Sequence, residues 1–103
     1  MNDSMQTLFG LTVPVTDFPL APETAQALAE RLMAAAMSVR EGASASLAAD
    51  VRADAERYLA LRRARGLRMP FAFQRTCDEG AHAVMRMTVN APPRRFRAEQ
   101  LVA

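Results

Sequence analysis

Four stretches of the chain carry a readable hydrophobic period. From Leu8 to Thr16 the period is two, with Phe9, Leu11, Val13 and Val15 on one face and Leu8, Gly10, Thr12, Pro14 and Thr16 on the other. That alternation predicts a half-buried strand. Pro14 has no N–H for a ladder, so the strand is expected at an edge or to end early.

From Pro22 to Arg40 the period becomes helical. Ala25, Leu28, Ala29, Leu32, Met33, Ala36 and Met37 form one apolar stripe, while Gln26, Glu30 and Arg40 point elsewhere. Pro22 suits a first helical turn and Glu23 suits the positive end of the helix. A second helix is predicted from about Ser46 to Arg65, with Ser44 or Ser46 as its N-cap and Leu47, Val51, Ala55, Tyr58 and Leu59 as its apolar side. Gly66 stands where a left-handed residue would close it.

The fourth stretch again alternates. Met69–Thr76 and Ala81–Val89 predict two strands around Cys77-Asp78-Glu79-Gly80, with Asp78-Glu79-Gly80 as a three-residue turn ending on a left-handed glycine. That register pairs Phe73 with Met85, Phe71 with Met87 and Met69 with Val89, and collects the large apolar side chains on one face. The predicted order is β-α-α-β-β, an α+β domain of two layers in which a helical hairpin packs on a small antiparallel sheet. The expected boundaries are a flexible N-terminus over 1–6, one domain over 7–91, and a basic C-terminal tail over 92–103 beginning at Pro92-Pro93, either docked or loose.

At 103 residues the chain has room for one core. No apolar run reaches the roughly 20 residues of a membrane span, and the first fifteen residues carry an Asp and no Lys or Arg, so no secretory n-region is expected. One Cys excludes an internal disulfide framework and suggests a reducing compartment or a cysteine-poor secreted chain, and of these the cytoplasm is expected.

The net charge of +2 conceals a split, with four Arg against eight acids in residues 1–61 and nine Arg against three acids in residues 62–103. All 13 basic residues are Arg, whose planar donor fork suits phosphate and carboxylate. Arg62, Arg63, Arg65 and Arg68 gather around the end of the second helix, and Arg94, Arg95 and Arg97 surround Phe96 after the double proline. These eight residues are the candidate contacts to a partner or to nucleic acid.

Catalytic chemistry has little to build on. Cys77 and His82 flank the predicted hairpin tip, but that register points them to opposite faces, whereas a nucleophile and its base must lie within hydrogen-bond reach. One Cys and one His are too few for four-coordinate zinc. The glycines at 10, 42, 66 and 80 stand singly and form no phosphate-binding loop. No enzyme activity, metal or cofactor is therefore expected.

The expected function is that of a small accessory, adaptor or inhibitor protein acting through another subunit or through self-association. The alternative is a nucleic-acid-binding regulator using the Arg-rich surface. Seven Met fit either core filling or an adaptable interface, because Met repacks easily. No membrane partner is expected.

Overall fold

The strand expected over Leu8–Thr16 is shortened to Leu11–Pro14 and pairs with a second strand that precedes it. The computed structural model describes residues 5–91 and shows β1 (Met5–Leu8) and β2 (Leu11–Pro14) paired antiparallel, with Leu8 opposite Leu11 and Met5 opposite Pro14. Phe9 and Gly10 form the two-residue loop, both left-handed at φ 54° and 78°, as tight hairpin turns require. Strand β1 thus begins inside the stretch expected to be flexible. Leu8 and Val13 are fully buried and turn the sheet's inner face toward the helices.

Both predicted helices form, as α1 (Pro22–Arg40) and α2 (Ala45–Arg63). Pro22 opens α1, and Ala25, Leu28, Ala29, Leu32 and Ala36 are its buried stripe. Ser44 is the N-cap of α2, its side chain accepting the Leu47 N–H at 3.2 Å. A Schellman closure ends α1 at Gly42 (φ 97°), with Gly42 N–H bonded to the Val39 carbonyl and Ala43 N–H to the Ser38 carbonyl, each at 3.1 Å.

The same closure ends α2, but the left-handed position is taken by Arg65 (φ 65°) and not by Gly66. Arg65 N–H bonds to the Arg62 carbonyl at 3.0 Å and Gly66 N–H to the Leu61 carbonyl at 3.1 Å. Gly66 answers a different need, since a Cβ there would lie 2.9 Å from Val15 Cγ1. A non-glycine residue in the left-handed region costs about 1–2 kcal/mol. Arg65→Gly is therefore expected to stabilise the fold by about 1 kcal/mol after the added flexibility of the unfolded chain is counted. Urea denaturation of the two proteins side by side measures it.

The predicted C-terminal hairpin does not form. Residues Phe71–Met87 are instead one helix, α3, following Pro70. Its buried positions Cys77, Gly80, Ala81 and Val84 recur at helical spacing. Three members of the expected apolar strand face, Phe71, Met87 and Val89, are exposed. Asp78, Glu79 and Gly80 lie in mid-helix and make no turn.

Helix propensity explains part of this correction, since Ala, Met, Gln, Arg and Glu fill most of the segment and favour helix. Arg75 and Glu79 add an i, i+4 ion pair at 3.3 Å. The far end is held from outside: Arg52 Nη1 of α2 donates to the Met85 carbonyl at 3.2 Å and the Thr88 carbonyl at 3.0 Å. The α+β class stands, with the order β-β-α-α-α. The tail expected over 92–103 lies outside the described residues.

The three helices share one core built on Leu28, Leu32, Ala55, Tyr58, Leu67, Cys77, Ala81 and Val84. Helix α2 runs back along α3, with Arg52 near Thr88 and Arg62 near Asp78. Helices α1 and α3 make the most extensive packing in the molecule. At their crossing Gly80 meets Leu32, where a Cβ would lie 2.5 Å from Leu32 Cδ2.

Candidate functional site

The described surface offers three places with chemistry beyond ordinary packing. The first is a polar cluster between α2 and α3. Tyr58, fully buried, donates its hydroxyl to Asp78 Oδ1 at 2.6 Å. Arg62 adds Nε to Oδ1 at 3.2 Å and Nη2 to Oδ2 at 3.4 Å. Burial raises the Tyr58 phenol well above its ordinary range, and the Asp78 hydrogen bond adds to the effect. Cys77 is buried beside them, and burial followed by the Asp78 charge pushes its thiol up to about 11. A thiol so placed is protonated at neutral pH and sheltered from attack, so it is a poor nucleophile. His82 is exposed on the outer side of α3. The Tyr58 hydroxyl and both Asp78 carboxylate oxygens are engaged within the cluster, which acts as a tie between helices.

The second place is the hairpin tip. The strained Phe9 is clamped on both sides of its peptide: its N–H donates to Asp54 Oδ2 at 3.1 Å, and its carbonyl accepts from Arg31 Nη1 at 3.3 Å. Arg57 joins the clamp, bonding Asp54 Oδ1 at 2.9 Å and the Thr7 carbonyl at 3.2 Å. A shallow cleft of about 340 Å³ opens beside it, with Phe9, Arg31, Leu47 and Asp54 on its walls. These contacts fasten the sheet to α1 and α2 and offset the left-handed backbone.

The third place is a groove between α1 and α3. Its two contiguous parts, of about 580 and 230 Å³, meet at Met33. One part lies between Gln26, Glu30 and Met33 on α1 and Phe73 and Thr76 on α3. The other lies between Met33, Met37 and Arg40 on α1 and Thr76, Glu79 and Ala83 on α3. Residue numbers rise together along both walls, so α1 and α3 run in the same direction here. Met33 and Met37 are each 45% exposed. The apolar period of α1 places both in its buried stripe, but the edge of that stripe passes through Ala29 and Ala36.

The fold gives the described Arg candidates different partners. Arg62 is engaged with Asp78, and Arg68 Nη1 donates to the Asp17 carbonyl at 2.9 Å. Arg63 and Arg65 are exposed at the end of α2. A small polar cleft brings Arg65 and Arg68 together with Asp17. Arg94, Arg95, Phe96 and Arg97 lie outside the described residues. Among the described residues no group of three or more His, Cys, Asp or Glu side chains is placed to hold a metal ion.

Sequence reasoning singled out the cations and missed the groove. The signal was present as a spacing of four, three, four and three residues, running Gln26, Glu30, Met33, Met37 and Arg40. At about 100° per residue these positions share one arc of roughly 80°, and all five are exposed. No helix among the described residues is long and apolar enough to cross a membrane. Comparison of the chain with protein-family models, with curated proteins and with solved structures returns no match.

Proposed function

We propose that this protein is a non-catalytic accessory protein of the cytoplasm that acts by protein–protein contact, taking an amphipathic helix into the groove between α1 and α3. The observation that carries this reading is the pair of half-exposed methionines at the centre of that groove. An exposed thioether loses contact with water favourably and adapts its shape to a partner. Walls formed by two helices present ridges into which a third helix packs.

The free, buried thiol of Cys77 is compatible with a reducing compartment. Nucleic-acid binding has weaker support among the described residues, because Arg62 and Arg68 are engaged within the fold while Arg63 and Arg65 are left exposed at one helix end.

The test is a photoreactive phenylalanine analogue placed at Met33 and, as a control, at Ala60, which is exposed on α2. In living cells the probe at 33 is expected to yield a discrete covalent protein adduct, identified by mass spectrometry, that disappears when Met37→Glu is added. The probe at 60 is expected to yield none. No adduct at 33, or equal adducts at both positions, overturns the reading.

A further inference from the structure

The exposed stripe of α1 has an order along its length that selects a particular partner. Met33 and Met37 are equidistant from position 35, and so are Glu30 and Arg40. A helix laid antiparallel against an identical one about a two-fold axis at position 35 sets each residue opposite its mirror position. Met33 then faces Met37 of the other copy on both sides of the axis, and Glu30 faces Arg40 of the other copy at both ends. Parallel packing would instead place Glu30 against Glu30 and Arg40 against Arg40. The four-three-four-three spacing is that of a helix–helix seam, and in antiparallel seams the two core positions of the heptad alternate across the interface as this register demands.

We infer that the helix taken up by the groove is α1 of a second copy of this chain, and that the protein forms a two-fold symmetric dimer through Glu30, Met33, Met37 and Arg40. The inference rests on the protein-contact reading above and names its partner.

The charges fit the assignment. Glu30 accepts a hydrogen bond from Gln26 Nε2 at 3.1 Å but makes no ion pair among the described residues, and neither does Arg40. The two lie about 15 Å apart along the helix, at opposite ends of the apolar patch, so one copy presents an acid where the other presents a base. The opposite wall presents the small Thr76 and Ala83 of α3 together with Phe73 and Glu79. A two-fold contact of this kind is self-complementary and closes on itself without forming fibres.

Sedimentation velocity and equilibrium of the full chain test the inference over roughly 1–200 µM, the range in which a small interface reports its dissociation constant. A monomer–dimer equilibrium is expected. Met33→Glu with Met37→Glu is expected to weaken it by more than about 100-fold, as loss of a buried interface centre does. The circular dichroism spectrum and melting temperature of a dilute sample should be retained, because both side chains are half-exposed in the monomer.

Glu30→Arg and Arg40→Glu are each expected to weaken self-association by about tenfold. An equimolar mixture of the two variants is expected to form a heterodimer as tight as the wild-type dimer. A chain that stays monomeric throughout the range overturns the inference, as does a dimer indifferent to the methionine changes or a mixture that fails to pair. If the chain is monomeric while the cellular cross-link at position 33 captures a different protein, self-pairing is wrong and the protein-contact reading survives. If it is monomeric and no adduct forms at 33, both fail.

Discussion

Gly80→Val is expected to destabilise the protein by about 3 kcal/mol, lowering the melting temperature of a domain this size by roughly 10–20 °C. Propensity alone predicts the opposite, because glycine inside a helix costs about 1 kcal/mol relative to alanine. The crossing of α1 and α3 decides the sign. A Cβ at position 80 would lie 2.5 Å from Leu32 Cδ2. Leu32 is fully buried, so its side chain has no solvent to swing into and must leave its rotamer or push the helices apart. Valine adds two further methyl groups at the same point. Gly80→Ala is expected to lose less, since its gain in helix propensity partly offsets the clash. Urea denaturation of the three proteins measures both values, and a valine variant as stable as the parent would show that the crossing is not close-packed at this glycine.

The same glycine shows why part of the fold was legible in the sequence and part was not. Helices α1 and α2 carry their signals locally: Pro22 at a first turn, Ser44 as a cap, and apolar positions at helical spacing. Segment 69–89 carries two periods at once. Met69, Phe71, Phe73, Met85, Met87 and Val89 alternate as strands do, while Phe73, Cys77, Ala81 and Val84 recur as a helix does. Gly80 beside Asp78 and Glu79 resembles a turn locally and is explained only by the approach of Leu32, 48 positions away in the chain. The cap at the end of α3 is equally non-local, because it comes from Arg52. At the first strand the turn was missed because Phe9 is a poor turn residue, held left-handed by Asp54 and Arg31 from two other elements.

The candidate groove follows the same division. Its α1 wall is written in five residues at heptad spacing and could be read from sequence alone. Its other wall exists only once 71–87 is a helix, so a reading that made this segment a hairpin had no groove to find. The cations are visible in composition, whereas the partners that engage Arg62 and Arg68 are set by the fold.

Asp78→Ala is expected to cost about 2–3 kcal/mol, and more than Tyr58→Phe, which is expected to cost about 1 kcal/mol. The ion pair itself is a minor part of the loss. Arg62 and Asp78 retain 19% and 33% of their side-chain exposure, and a partly solvated pair contributes on the order of 1 kcal/mol or less. The larger part comes from the phenol. Tyr58 is fully buried and its hydroxyl reaches Asp78 at 2.6 Å, so removing the carboxylate leaves a buried donor without a partner. Removing the hydroxyl instead leaves Asp78 still bonded to Arg62 and reachable by water. The two changes are therefore expected to be non-additive. The double variant Tyr58→Phe/Asp78→Ala should be less destabilised than the sum of the singles by about 1 kcal/mol or more, the coupling seen between side chains in one hydrogen-bond network. Urea unfolding of the four proteins closes the cycle. Simple additivity would mean that the hydroxyl finds water when the carboxylate is gone, and that the tie between α2 and α3 rests on packing alone.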